Sequence, residues 1–397
     1  MHNLTGKPAE GDDFFDRERE TRRLWERIDT DNVLLLAPRR VGKTSLMFRL
    51  RDGAEREGFH AAYVSVADVT TEIGFVERLY EAAQKLAPAK KAIRHIAKGP
   101  LGRFLRRIKK LGLFSISIEL GESAETQWQA LGEALSAALD SVDGRWLLLV
   151  DELPIFVLTL IRQDPSGARA RTFLNWYRQL RIAGKRVRWL LAGSIGLDTV
   201  TKRMRFGDTI NDLYLFTDFG AFTPEIADQL LDALGKTYDL PLAAEVKAHI
   251  RKRTGWLIPF HLQLFFATLR EHVSDRRPKS NKITTTDVDA VYEQLLSPAK
   301  RAYFDYWEQR LHEELGSPDD RKSIDLIDVI AKNPEGESVA TLKSVLGKHF
   351  QDGAQRDDKL RYLLDVLQAD GYIVETGGRF IFRSSLLRDF WLRRVSL

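Results

Sequence analysis

The chain has 397 residues, of which 44% are hydrophobic, a formal net charge of +5 and no cysteine. This length is enough for two or three domains with sizeable cores. The lack of cysteine excludes disulfide bridges and thiolate metal sites, and the eight scattered histidines do not predict a zinc site. The longest apolar runs, such as residues 146–150, are far shorter than the roughly 20 residues of a membrane-spanning helix, and the polar N-terminus lacks the apolar core of a secretory signal, so we expect a cytoplasmic protein without a membrane span.

Strands and helices alternate over the first 220 or so residues. Apolar runs predict strands at residues 32–38, 59–68, 145–152, 187–194 and 212–222. The segments between them predict helices at residues 43–58, 71–86, 125–142 and 170–184. Strands that are almost continuously apolar are typical of a parallel sheet covered by helices on both faces. We therefore expect one α/β domain over residues 1–220.

The first predicted strand leads into the sequence APRRVGKTS at residues 37–45. It resembles the phosphate-binding loop G-x-x-x-x-G-K-[ST], with Ala37 in place of the first glycine, although a chance strand-to-helix turn is the alternative. In such a loop backbone N–H groups surround the phosphates, while Lys43 reaches the β and γ oxygens and Thr44 ligates Mg²⁺. Ala37 suffices if its backbone dihedrals are ordinary. The candidate nucleotide-binding residues are Ala37, Pro38, Arg39, Arg40, Val41, Gly42, Lys43, Thr44 and Ser45.

Residues 88–122 form a basic insertion in the α/β domain. Nine basic and no acidic residues lie within residues 90–110, so the rest of the chain carries a net charge of −4. Apolar residues among them are spaced as on helices, and residues 113–120 alternate as in a strand. One interpretation is a solvated helix face; the other is contact with nucleic-acid phosphates or an acidic partner. The candidate nucleic-acid contacts are Arg103, Arg106, Arg107 and Lys110.

Two carboxylates, Asp151 and Glu152, end the apolar strand predicted at residues 145–152. The carboxyl ends of strands are where open α/β sheets bind ligands. We expect Asp151 to hold Mg²⁺ through water and Glu152 to orient or activate the attacking water; the alternative is that both acids only cap the next helix. Ser194, at the end of the next strand, is a candidate contact for the γ-phosphate or the attacking water, or an ordinary turn residue.

Arg203 and Arg205 follow the fourth predicted strand. They are candidate arginine fingers that would act on a neighbouring subunit, which would make the protein a nucleotide-dependent homo-oligomer. An exposed basic turn is the alternative interpretation.

From residue 224 onward the pattern becomes helical. Four predicted helices, at residues 224–238, 242–255, 259–273 and 284–296, indicate a small helical domain over residues 221–297. A linker helix and a last domain occupy residues 298–397. In that domain three predicted helices precede two strands that meet at Gly377-Gly378, a hairpin signal.

The motifs as a set resemble those of the AAA+/STAND-type P-loop ATPases, particularly the archaeal-type prokaryotic ATPases. The resemblance rests on FFDRERE, APRRVGKTSL, LLLVDE and LLAGS, in this order. Asp16 replaces the glycine of the family's hhGRExE motif, Arg17 holds its arginine, and Pro259 resembles the lid's Gly-x-Pro helix start with a different spacing. The resemblance implies a P-loop sheet, a helical lid and a C-terminal winged helix, with ATP or ADP and Mg²⁺ bound and nucleotide contacts from Arg17 and Pro259.

The partner of the winged helix is open at this point. The resemblance to initiator-type AAA+ proteins implies double-stranded DNA, but residues 355–370, the expected recognition helix, carry a net charge of −1, which is unfavourable for a major-groove helix. A protein-contacting or autoinhibitory winged helix is the alternative. The sequence thus predicts an ATP-binding, Mg²⁺-dependent ATP-hydrolysing switch that is recruited to nucleic acid, or a signalling or defence-type switch with a protein partner.

Overall fold

The computed structural model describes residues 1–86, 88–89, 123–193, 196–274 and 282–395, and only the backbone at residues 123–127, 203, 314 and 395. These residues form two compact units. The sheet unit contains Arg17–Leu36 and Lys43–Phe219, and the helical unit contains Met1–Asp16, Ala37–Gly42 and Gly220–Leu397. The structure predicted for residues 90–122 lies outside the described residues, and the boundaries of three domains stay a prediction.

The sheet unit is built on a five-stranded parallel sheet, so the predicted fold class is confirmed. Its strands are β1 (Asn32–Leu35), β2 (Phe59–Ser65), β3 (Arg145–Asp151), β4 (Val187–Ala192) and β5 (Leu213–Phe216), in the spatial order β2-β3-β4-β1-β5. Its described helices are α1 (Glu18–Ile28), α2 (Lys43–Gly53), α3 (Glu72–Gln84), α4 (Ser123–Asp140), α5 (Leu153–Gln163), α6 (Ala168–Ala183) and α7 (Leu197–Met204).

Aromatic rings fill the core between the sheet and its helices. The apolar run of β3 is completely buried from Trp146 to Val150, as expected for a central strand covered on both faces. Phe75 of α3 stacks on Phe156 of α5 at 5.4 Å and meets Phe173 of α6 edge-on at 4.9 Å. Burial of such rings stabilises the unit by about 2 kcal/mol per side chain, and this core fixes the strands that carry the site.

The strand register shows that the carboxyl ends of β1 and β3 lie at the same edge of the sheet. Leu190 of β4 pairs with Leu149 of β3 on one side and with Val33 of β1 on the other. In the same parallel sheet Ser65 of β2 lies opposite Asp151 of β3. The end of β1 and the carboxylate that ends β3 therefore lie at the same edge of the sheet, with β4 between their strands.

The helical unit combines helices with a three-stranded antiparallel sheet. Its helices are α8 (Pro224–Thr237), α9 (Ala244–Thr254), α10 (Pro259–Ser274), α11 (Thr285–Leu295), α12 (Asp305–Leu315), α13 (Asp319–Lys332), α14 (Val339–Gly347), α15 (Gly353–Ala369) and α16 (Ser385–Val395). Its strands are β6 (Glu337–Ser338), β7 (Ile373–Thr376) and β8 (Arg379–Phe382), in the order β6-β8-β7. None of the helices in the described parts of the chain is both long and apolar enough to span a membrane.

Side-chain caps explain where several of these helices begin. The hydroxyl of Thr223 accepts a hydrogen bond from Ile226 N–H at the start of α8, and Thr284 and Asp287 form a capping box at the start of α11. Helices α13, α14 and α15 and the hairpin of β7 and β8 occur as predicted. The short strand β6 and the last helix, α16, are additional to the predicted elements, and the designation of this segment as a winged helix stays a prediction.

Candidate nucleotide-binding site

The backbone of the loop at residues 37–42 explains why its first glycine is dispensable. Gly42 has a φ of +101°, and a Cβ built on it would meet no atom within 4 Å, so glycine is needed there for its backbone conformation and not for space. Ala37 is not among the residues with positive φ. Alanine can therefore hold the first position of the loop without backbone strain.

Lys43 and Thr44 are the first two residues of α2. The N-terminal N–H groups of a helix lack intrahelical acceptors and carry a partial positive charge. No acidic residue lies in the first turn of α2, and Lys43 and Ser45 are both buried, at 8% exposure. This helix start thus has the charge and the N–H donors that an anion such as phosphate requires.

The hydroxyl of Thr44 and the carboxylate of Asp151 meet at the edge of the sheet. Thr44 Oγ1 donates a hydrogen bond to Asp151 Oδ2 at 2.8 Å, although the two residues lie 107 positions apart in the chain. Asp151 is only 3% exposed, and its other oxygen accepts a hydrogen bond from the backbone N–H of Glu152 at 3.0 Å. The sequence predicted both as magnesium ligands, and the structure brings them into direct contact.

Tyr63 is a third residue at this point, and the sequence did not predict it. Its hydroxyl donates to Asp151 Oδ2 at 3.0 Å, from a position on β2 two residues before Ser65, the partner of Asp151 in the sheet register. Burial raises the pKa of the Tyr63 hydroxyl, and the Asp151 carboxylate raises it further. Tyr63 therefore stays protonated and donates to the carboxylate at any physiological pH.

Glu152 follows Asp151 in a left-handed backbone conformation, with φ +61° and ψ +28°. This conformation is uncommon for a residue other than glycine and costs of order 1 kcal/mol, and it is often found at functional sites. Although Glu152 immediately precedes α5, its side chain makes no capping hydrogen bond. The alternative that this acid only caps the next helix is therefore not supported.

The donor chemistry at Thr44 and Asp151 fits Mg²⁺. Mg²⁺ prefers oxygen ligands and is usually held by one or two protein groups together with water and phosphate oxygens. Across the parts of the chain that the structure describes, no group of three or more His, Cys, Asp or Glu side chains could hold a metal alone. An ion at Thr44 and Asp151 would complete its coordination with water and phosphate oxygens, and the adjacent helix start could bind such a phosphate.

Arg17 lies at the start of α1, in the sheet unit. Asp16 and Arg17 both have positive φ, +58° and +77°, and aspartate tolerates this conformation better than most residues, which explains how it can replace a glycine. The Arg17 side chain is buried, its guanidinium lies 4.6 Å from the ring centroid of Phe219, and it forms an ion pair with Glu20 at 2.8 Å. These contacts fix the side chain within the sheet unit, and its contact with nucleotide stays a prediction.

Some of the remaining predicted residues are described by the structure, and others lie outside the described residues. Pro259 begins α10 of the helical unit, and Arg205 is exposed at the end of α7 with a φ of +58°. Val41 is buried, at 1% exposure. The predicted residues that lie outside the described residues are Ser194, Arg103, Arg106, Arg107, Lys110 and the side chain of Arg203.

Among solved structures, two are similar to the chain along almost its whole length. A Walker-type ATPase of Pyrococcus abyssi is 16% identical, with a TM-score of 0.59 over 98% of this chain and 99% of that one. The ORC2 protein of Aeropyrum pernix, in its ADPNP and ADP complexes, is 12% identical, with a TM-score of 0.54 over 97% of this chain and 95% of that one. The chain has a P-loop ATPase fold. No protein-family model and no curated protein matches it.

This likeness concerns the fold, and the roles of individual residues rest on the geometry of the chain itself. The structure and this likeness confirm the expected α/β fold with a parallel five-stranded sheet. The STAND-type assignment, the winged helix and the individual site residues stay predictions.

Proposed function

We propose that the protein binds ATP together with Mg²⁺, hydrolyses it and acts as a nucleotide-controlled switch. The observation that carries this proposal is the 2.8 Å hydrogen bond between Thr44, at the start of the helix after the phosphate loop, and Asp151, at the end of β3. A chance match to the loop motif gives no reason for a buried carboxylate to meet the motif's hydroxyl. A site for a metal–phosphate complex does give such a reason.

The proposed roles follow from charge and position. The buried ammonium group of Lys43 interacts with the β and γ oxygens and stabilises the negative charge of the transferred phosphoryl group. The Thr44 hydroxyl, and Asp151 through water, hold Mg²⁺, which supplies further charge stabilisation when bound. Glu152 orients the attacking water or accepts its proton. Ser194 is proposed to contact the γ-phosphate or the attacking water. Arg17 is proposed to contact the nucleotide.

Two variants separate binding from turnover. We expect Lys43→Ala to weaken ATP binding roughly 10- to 100-fold, because it removes charge-assisted hydrogen bonds. We expect Glu152→Gln to bind ATP like the wild type but to hydrolyse it about 100-fold more slowly, because only its proton-accepting ability is lost. Calorimetric binding and phosphate-release assays measure the two effects. Equal loss of binding in both variants would contradict the assigned roles.

We further propose that the C-terminal segment from α13 to α16 is a winged helix that contacts a protein partner. The order helix, short strand, two helices and hairpin supports the winged helix. The basic side chains of α14 and α15 are already paired with carboxylates of the same segment, which supports a protein partner over duplex DNA, since DNA phosphates would have to displace these pairs. The pairs are Lys343–Asp357, Arg356–Asp357, Lys359–Asp319 and Arg361–Asp358.

A further inference from the structure

Arg40 of the phosphate loop is held against two aromatic rings of the helical unit, to which the loop segment Ala37–Gly42 belongs. Its guanidinium carbon lies 4.2 Å from the ring centroid of Phe260 and 4.6 Å from that of Tyr306. The neighbouring Arg39 lies 5.8 Å from the Tyr306 ring. These distances are within the roughly 6 Å range of cation–π attraction, so residues of α10 and α12 bind the middle of the loop.

The backbone at Arg40 shows why this contact matters for the loop. Arg40 has a φ of +63°, which is uncommon for a residue other than glycine and needs surrounding contacts to hold it. A residue in this conformation turns the N–H groups that follow it, and such turns create the concave arrangements of N–H groups that bind anions. A contact that fixes the Arg40 side chain therefore also fixes the direction of the donors offered to phosphate.

A second approach to the same loop occurs at Pro38. A Cβ built on Gly371, in the turn before β7, would lie 3.0 Å from Cβ of Pro38 and 2.6 Å from the ring of Trp256. Gly371 also has a φ of +88°, so glycine provides both the turn and the space for Pro38. Two separate parts of the helical unit thus shape the loop, one at Pro38 and one at Arg40.

We propose that Phe260 and Tyr306 are positioning residues for the phosphate loop, and that through Arg40 they link nucleotide affinity to the conformation of α10 and α12. This inference rests on the proposed function. Coupling of this kind is reciprocal, so nucleotide bound by the loop stabilises the packing around Tyr306, and loss of that packing weakens nucleotide binding. In this way α12 responds to bound nucleotide through Arg40 and not through a direct contact.

The variants are chosen to separate stacking from charge. Arg40→Lys keeps the positive charge but loses the planar group that stacks, Tyr306→Leu removes the ring, and Tyr306→Phe keeps it. Arg51→Lys is the matched control, because Arg51 lies 4.6 Å over the ring of Phe48 on α2, away from the loop. The dissociation constant of a fluorescent ATP analogue with Mg²⁺ is measured for each variant, and circular dichroism verifies that each is folded.

We expect Arg40→Lys and Tyr306→Leu each to weaken binding about 3- to 10-fold. The loss in the double variant should be smaller than the two single losses combined, because the Arg40–Tyr306 contact is removed in all three variants. Tyr306→Phe and Arg51→Lys should bind like the wild type. Hydrogen exchange provides a readout that a merely structural role would not change: ATP should slow exchange in residues 305–315 of the wild type but not of Arg40→Lys.

Two results would overturn the inference in different ways. Wild-type protein that binds no nucleotide contradicts the proposed function and this inference with it. Wild-type binding that is unchanged in Arg40→Lys and Tyr306→Leu, or effects that simply add in the double variant, contradicts the inference alone and leaves the proposed function intact.

Discussion

Charged side chains are arranged differently at the edge of the parallel sheet and on the C-terminal helices α14 and α15. At the sheet edge Asp151 is almost completely buried and accepts hydrogen bonds from Thr44 and Tyr63. On α15 the charges are half-buried or exposed and pair with nearby charges of opposite sign; Arg361 and Asp358 have side chains 73% and 79% exposed, whereas Lys359 is half-buried. A buried carboxylate is costly unless hydrogen bonds or a cation compensate it, whereas exposed ion pairs contribute little.

The two regions therefore differ in how narrowly their side chains define a ligand. The sheet edge brings together two adjacent carboxylates, a lysine and a hydroxyl, with Asp151 and Lys43 buried, and such an arrangement suits a metal and a phosphate. The C-terminal helices distribute balanced charges over a surface, and such a surface suits contact with many kinds of partner. Substitutions at the sheet edge should therefore change ATP turnover, whereas substitutions on α14 and α15 should change partner binding or stability.

The same substitution, Asp to Asn, should change the rate of ATP hydrolysis strongly at the sheet edge and not at all on α15. Asp151→Asn should slow ATP hydrolysis about 100-fold or more, because the amide cannot help to hold Mg²⁺ as the carboxylate does. Asp358→Asn, the matched control on the exposed face of α15, should leave hydrolysis unchanged. Phosphate release at saturating ATP and Mg²⁺ measures both. If Asp151→Asn hydrolysed ATP as fast as the wild type, Asp151 would have no greater role in hydrolysis than Asp358, which would contradict the proposed site.

A second prediction concerns His261, a buried histidine of the helical unit. Burial lowers the pKa of His261 to about 4, below the roughly 6.5 of an unfolded chain. The unfolded state therefore binds more protons between these values, so stability falls as the pH drops from about 6.5 to about 4. Between pH 7 and pH 5 the decrease in the free energy of unfolding should be about 2 kcal/mol, obtained by integrating the difference in bound protons between the two states over this interval.

Chemical unfolding at the two pH values, compared with that of His261→Gln, isolates this contribution. The variant lacks the titrating ring, so its free energy of unfolding should fall by about 2 kcal/mol less than that of the wild type over the same interval. Parallel decreases in both proteins would show that other groups control the pH dependence and that burial of this histidine is not the decisive feature of the unit.

A smaller effect tests the role of Tyr63 at the sheet edge. Tyr63→Phe removes one hydrogen bond to Asp151 and should raise the Mg²⁺ concentration needed for half-maximal ATP binding about 2- to 10-fold. Binding of ATP without Mg²⁺ should be unchanged. Tyr214→Phe is the control, because the ring of Tyr214, on β5, contacts Arg27 and not the carboxylate. An identical Mg²⁺ requirement in the wild type and Tyr63→Phe would show that Asp151 needs no such support.

The smallest expected effect concerns DNA. Reversing Lys343 and Lys359 to Glu should leave the affinity for duplex DNA and its salt dependence unchanged, since these lysines already pair with carboxylates. Fluorescence anisotropy at two salt concentrations measures both quantities. The comparison set reverses Arg103, Arg106, Arg107 and Lys110; if these residues bind DNA, the salt slope should flatten by about 0.9 for each phosphate that they no longer neutralise. A weakened affinity in the first set would contradict the protein-partner proposal.

The sequence predicted the sheet and its loop because these features are local. Continuous apolar runs identified all five strands, and the spacing of Gly42, Lys43 and Thr44 identified the helix start that follows β1. The approach of Asp151 to Thr44 was also predictable, because the carboxyl ends of parallel strands share one edge. Local patterns were thus sufficient for the fold class and for the main residues of the candidate site.

Contacts that depend on register or on distant packing were not predictable. Tyr63 is one tyrosine in an otherwise ordinary strand, and only the pairing of Ser65 with Asp151 shows that its hydroxyl reaches the carboxylate. The stack of Arg40 on Tyr306 joins residues more than 200 positions apart, which no local period encodes. The strand β6 has two residues, too few for any alternation to be recognised.

A structure with a non-hydrolysable ATP analogue and Mg²⁺ would show whether Thr44 and Asp151 form a metal–phosphate site. We expect Mg²⁺ at about 2.1 Å from Thr44 Oγ1 and linked to Asp151 through water, with Lys43 in contact with the β- and γ-phosphates. Phosphates bound away from residues 37–44, or a metal ion that contacts neither Thr44 nor the surroundings of Asp151, would contradict it.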